Sequence, residues 1–132
     1  MIPVITILAL TILAFLVWKL WKPYVAPPKR EVPVDQARLY FFHTDWCGFC
    51  KKAMPEWEKL EAFVNDHPKF GNTELKLVAV NAEKDRATAT LYEIDSYPVV
   101  KLETNKGLYS FNKAVNYDNL LQFIRQTLGK EA

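Results

Sequence analysis

Tyr40-Phe41-Phe42-His43-Thr44-Asp45-Trp46-Cys47-Gly48-Phe49-Cys50-Lys51-Lys52-Ala53-Met54-Pro55-Glu56-Trp57-Glu58-Lys59 is the stretch that decides the fold. An aromatic, apolar run ends at two cysteines three positions apart, and a helical pattern follows. Arg38 to Phe42 reads as a buried strand. Residues 48–66 read as a helix, with Trp57, Leu60 and Val64 on its inner face and Pro55 inside it. Cys47 then stands at a helix N-terminus, where free N–H groups and the helix dipole favour a thiolate. Cys50 falls on the same helical face, within reach of a mixed disulfide formed at Cys47.

The chain has 2 cysteines in all, so it is not a disulfide-stapled scaffold. They form either a redox pair or half of a metal site. A zinc site would need two further ligands, with His43 and His67 as the candidates and no second cysteine pair. The redox reading is preferred and no metal is expected. His43 is read as an ordinary surface group, with a place at the edge of the site as the alternative. His67 is read as a helix-end residue.

Downstream, Leu75 to Val80 is a strand, and residues 84–93 a helix with Ala87, Leu91 and Ile94 facing in. Val99 to Leu102 and Leu108 to Phe111 flank an Asn105-Lys106-Gly107 hairpin turn. Asn116 can cap a last helix whose apolar face is Leu120, Leu121, Ile124 and Leu128. The order β-α-β-α-β-β-α predicts an α/β fold, a four-stranded mixed sheet with flanking helices.

These features resemble the thioredoxin superfamily over residues 37–129, and most nearly the catalytic domains of protein disulfide isomerases. Trp46, Lys51 and Pro55 match the family's active-site segment, and Ser96-Tyr97-Pro98-Val99 resembles its cis-proline loop. The resemblance implies Cys47 as nucleophile, Cys50 as resolving thiol and Pro98 in the cis form. It also implies that Trp46, Tyr97 and Pro98 meet the substrate, Trp46 either covering the site or packing beside it. A cis-proline turn exposes neighbouring backbone to an extended peptide.

Three departures stand out. The stretch between Tyr24 and Arg38 is too short and proline-rich for the strand and helix that open a thioredoxin, so the fold looks trimmed. Phe41 occupies the place of the family's buried carboxylate, six residues before the first cysteine; Asp45 and Glu56, nearby in sequence, are expected to be exposed. Phe49 replaces the histidine or proline between the cysteines, which predicts a less stabilised thiolate and a less oxidising couple.

Residues 2–18 carry no charge, enough for a helix of about 26 Å, with Trp18, Trp21 and Tyr24 as an aromatic belt. The expected organisation is a transmembrane anchor over 1–22, a proline-rich linker over 23–36 and a thioredoxin-like domain over 37–132. Lys19, Lys22, Lys29 and Arg30 precede every acidic residue, and the positive-inside rule puts the domain on the cytosolic face. With those 4 set aside, 13 of the 17 basic residues face 15 acidic ones, and no basic stripe points to nucleic acid.

The function expected is a membrane-anchored thiol–disulfide oxidoreductase acting on protein thiols and disulfides. No cofactor is implied, and no glycine-rich phosphate loop is present. The alternative is a membrane-anchored adaptor that keeps the scaffold to bind partners in a multiprotein assembly. Compact thioredoxin-like proteins of this kind occur among large DNA viruses, where such an assembly would be a virus particle.

Overall fold

The aromatic run forms β1 (Gln36–His43) at the centre of the sheet, and the helix after it, α2, spans Gly48–Asp66. A computed structural model describes residues 3–21 and 31–132. It divides into two units, Met1–Arg30 and Glu31–Ala132. In the second unit the remaining elements are β2 (Lys69–Phe70), β3 (Thr73–Asn81), α3 (Arg86–Leu91), β4 (Val99–Thr104), β5 (Gly107–Ser110) and α4 (Tyr117–Leu128). Residues 31–35 form neither helix nor strand, so β1 opens the regular structure of this unit.

The sheet order is β2-β3-β1-β4-β5. Five strands replace the four expected. The extra one, β2, is two residues long and carries no periodicity of its own. It exists by pairing antiparallel with β3 across the turn at Gly71. Gly71 has φ 59°, and a Cβ there would lie 2.7 Å from the Leu128 carbonyl oxygen, so only glycine fits. β1 and β3 run parallel, while β4 pairs antiparallel with β1. The chain's last residues add to β2, with the Gly71 amide donating to the Lys130 carbonyl and the Ala132 amide to that of Lys69.

Two apolar layers flank the sheet. Leu39, Phe41, Val100 and Leu102 pack under Trp57 and Leu60 of α2 and under Leu120 and Ile124 of α4. Tyr40, Phe42 and Val80 pack on the opposite face with Tyr92. Asn116 caps α4 as expected, its side-chain oxygen accepting from the Asn119 amide at 2.9 Å. α3 is shorter than expected and differently phased. Asp85 caps it and turns Ala89 and Tyr92 inward, leaving Ala87 and Leu91 exposed.

In the first unit α1 covers Val4–Leu20, and none of its residues is buried. Its 17 residues rise about 26 Å, less than the roughly 30 Å hydrocarbon core of a bilayer. Among the described residues no helix is long and apolar enough to cross a membrane, which corrects the expected span over 1–22. Most of the expected linker, and with it Lys22, Tyr24, Lys29 and Arg30, lies outside the described residues.

Candidate functional site

β1 delivers the chain to the site through His43, Thr44, Asp45 and Trp46. Cys47 is the N-cap of α2, and its sulfur accepts the Cys50 amide at 3.1 Å. One orphan donor of the helix's first turn is thereby aimed at the sulfur. Cys47 and Cys50 are joined as a disulfide, with Cα atoms 5.2 Å apart. Cys50 lies inward on the helix, 2 % exposed. Pro55 sits in the middle of α2, where it cannot donate to the Lys51 carbonyl.

The Tyr97–Pro98 peptide is cis, as the resemblance implied. The Tyr97 ring meets Trp46 edge-on, with centroids 6.0 Å apart. This contact ties the segment before Cys47 to the cis-proline loop. Trp46 is 69 % exposed and Phe49 is 75 % exposed, so two aromatic side chains flank the cysteines at the surface. The Lys52 ammonium stands 5.9 Å from the Phe49 ring centroid, a cation–π contact.

Beneath the pair, Phe41 is fully buried and stacks between Trp57, at 5.1 Å, and His43, at 5.4 Å. No carboxylate takes its place. Asp45 is exposed and accepts from Asn81 Nδ2 at 3.0 Å. Glu56 is part-buried rather than exposed, and it is committed elsewhere. It takes the Lys59 ammonium at 2.8 Å and the Tyr117 amide at 3.0 Å, which hold its carboxyl below the usual range. Glu103 is the buried acid that sequence reasoning missed, at 4 % exposure. It accepts from the Tyr92 hydroxyl at 2.6 Å, and burial first, then this bond, pushes the phenol pKa up. β4 pairs Glu103 with Arg38, about four residues back along β1 from the cysteine end. It therefore serves the core under α3.

A cavity of about 390 Å³ opens beside the cysteines. His43, Thr44, Cys50, Lys51, Met54 and Glu58 line it, with Asp45 and Pro55. His43 is thus half-buried on the wall of a cavity shared with Cys50, at the edge of the site rather than an ordinary surface group. Burial lowers its pKa, the nearby Lys84 cation adds to this, and Asp45 opposes it. Thr44 Oγ1 is buried without a hydrogen-bond partner. His67 caps the far end of α2, so 19 helical residues, about 28 Å of rise, separate it from Cys47. The two histidines are not brought together, and among the described residues no cluster suits a metal ion.

A family model described as thioredoxin matches residues 26–126. Protein disulfide-isomerase of Zea mays is 30% identical over 90 residues, 67% of this chain and 17% of that protein. Protein disulfide-isomerase A6 of Mus musculus is 33% identical over 74 residues, 56% of this chain and 15% of its own. The chain thus spans less than a fifth of the length of these curated relatives. Among solved structures, the first thioredoxin domain of mouse protein disulfide-isomerase A4 superposes with a TM-score of 0.58 at 20% identity. That match covers 69% of this chain and 62% of that one. The J-Trx1 fragment of ERdj5 superposes with a TM-score of 0.61 at 20% identity, covering 71% and 44%. The two superpositions bear on the fold alone.

Proposed function

We propose that this chain, which belongs to the thioredoxin family and is related to the catalytic domains of protein disulfide isomerases, is a thiol–disulfide oxidoreductase acting on protein substrates. The observation that carries the reading is the Cys47–Cys50 disulfide at the N-terminus of α2 beside the cis Tyr97–Pro98 peptide. In the reduced form Cys47 is the nucleophile, its thiolate favoured by the Cys50 amide and the helix dipole. It attacks a substrate disulfide and forms a mixed disulfide. Cys50 then attacks Cys47, releasing the substrate thiol and closing the internal bond. Trp46, Tyr97 and the backbone at Pro98 receive the substrate chain. Exposed aromatic surface at Trp46, before the first cysteine, and at Phe49, between the two, suits an extended, partly apolar peptide.

The test is turnover of a protein disulfide by the full-length chain with a thiol reductant. Wild-type activity should be lost in Cys47→Ser, and Cys50→Ala should accumulate covalent substrate adducts. A wild-type chain that neither reduces nor forms disulfides in proteins overturns the reading in favour of a binding scaffold.

We infer that α1 holds the domain at a membrane surface as a lipid-seeking helix. The support is that its large apolar side chains are 49–85% exposed on every face and that the basic residue Lys19 stands at its end. Vesicle co-sedimentation of the full-length chain tests this. Loss of binding should follow removal of residues 1–21.

A further inference from the structure

The replacement of the expected carboxylate by Phe41 leaves the resolving step without an evident proton acceptor. A thiol 2 % exposed, as Cys50 is, must lose a proton before it attacks, and burial disfavours its thiolate. The cavity supplies the missing partner. We propose that His43 takes the proton from Cys50 in the resolving step, through water held in the cavity that the two residues share. The proposal rests on the oxidoreductase reading above.

Three observations converge on it. His43 and Cys50 line one cavity of about 390 Å³, many times the roughly 30 Å³ of a water molecule. Phe41 stacks on the imidazole and fixes its plane. The environment keeps the ring neutral near pH 7, since burial and Lys84 lower its pKa against the opposing pull of Asp45. A neutral imidazole accepts a proton; an imidazolium does not.

The other ionisable groups around the cavity are worse placed. Asp45 is exposed and bonded to Asn81. Lys51 is a cation. Glu58 lies eight residues along α2 from Cys50, about 12 Å of helical rise.

The Cys47 thiolate bonds to one substrate sulfur while the substrate S–S bond breaks, and the electron pair leaves on the other sulfur, which takes a proton from solvent. The Cys50 proton passes through water to His43. The Cys50 thiolate then bonds to Cys47 while the mixed disulfide breaks. The departing substrate sulfur takes the electron pair and is protonated by the imidazolium, directly or through solvent. Two electrons and two protons have moved from the dithiol to the substrate, and His43 is neutral again.

The experiment is stopped-flow reaction of the reduced full-length chain with the aromatic disulfide dithiobisnitrobenzoate. The first coloured release reports attack by Cys47, and the second reports resolution by Cys50. In His43→Gln the first phase should be unchanged. The second should slow by about 100-fold at neutral pH, the lower end of general-base effects. The wild-type second phase should hold its rate down to below pH 6.5 and fall as the imidazole protonates. In the variant the rise should move to higher pH, above the range of an ordinary thiol, because Cys50 is buried. Added imidazole should restore part of the rate. Equal second phases in wild type and variant overturn the proposal, as does equal slowing of both phases, which marks a packing role. Loss of the second phase in Glu58→Gln alone overturns it in favour of Glu58. Absence of the first phase in the wild type overturns the oxidoreductase reading itself, and this proposal with it.

Discussion

The indole of Trp46 and the ring of Tyr97 meet edge-on, with planes at 90° and centroids 6.0 Å apart. Fifty-one positions apart in sequence, they join the cysteine segment to the cis-proline loop at the surface. An edge-to-face pair contributes about 0.5–1.5 kcal/mol. Trp46→Ala should therefore raise KM for a protein disulfide by roughly 2- to 10-fold, with kcat little changed. Steady-state kinetics on one protein substrate measures the split. The pair is also a contact within the fold, so the melting temperature should fall by a few degrees as well.

Phe49→His should make the couple more oxidising. A histidine between the cysteines adds a cation able to favour the Cys47 thiolate, and hence the reduced form. The reduction potential should rise by about 30 mV, equivalent to a tenfold change in equilibrium constant. Equilibration against glutathione buffers reads it directly. An unchanged potential would mean that the Lys52 ammonium beside Phe49 already supplies that field.

Restoring a carboxylate at Phe41 should be costly. Phe41 is fully buried between Trp57 and His43. Phe41→Asp removes the ring and adds a charge that the surrounding side chains do not pair. The loss of the ring alone should cost about 3–5 kcal/mol. Urea unfolding of the full-length chain, followed by tryptophan fluorescence, gives the difference. A near-neutral result would show that the cavity by His43 already solvates that position.

The C-terminus should loosen in acid. Arg125 donates from Nε and Nη2 to the two carboxylate oxygens of Glu131, which lowers the Glu131 pKa to about 2. With an unfolded-state value near 4.5, this contact contributes its full stability above that pH and loses it as pH falls toward 2. The contact is solvent-exposed, so the effect should weaken with salt. The protection of the Gly71 and Ala132 amides, whose N–H groups bond across this junction, should fall over that window when exchange is referred to the intrinsic rate at each pH. Glu131→Gln should exchange faster at neutral pH and show a flatter acid limb.

Much of the fold was legible because its elements carry their own signals. The boundaries of α2 follow from the cysteine cap, the Trp57–Leu60–Val64 face and the His67-Pro68 stop. The α4 cap follows from Asn116. What sequence could not supply are features defined by a partner. β2 is a strand because of β3. Glu103 lies one position past the strand expected over Val99 to Leu102, and its partner Tyr92 comes to it only in the fold. The phase of α3 depends on Asp85 capping rather than on the run of alanine and threonine. His43 reads as a surface residue one position past an apolar run. Its role depends on the cavity closed by α2, which adjacency in the chain does not reveal.

The sheet's two borders differ in what they leave free. At β2 the final residues occupy part of the outer hydrogen-bonding row, with a bridge between Phe70 and Glu131. At β5 the four residues Gly107–Ser110 have β4 as their one sheet neighbour among the described residues. Strand addition by another polypeptide therefore has one ready docking line rather than two. Two copies meeting through β5 would form a closed, two-fold pair, with the tail-covered border of each facing outward. Growth beyond a pair would first require the tail to peel from β2. The Arg125–Glu131 clasp holds that tail in place, and acid that releases it would free a second hydrogen-bonding row on each molecule.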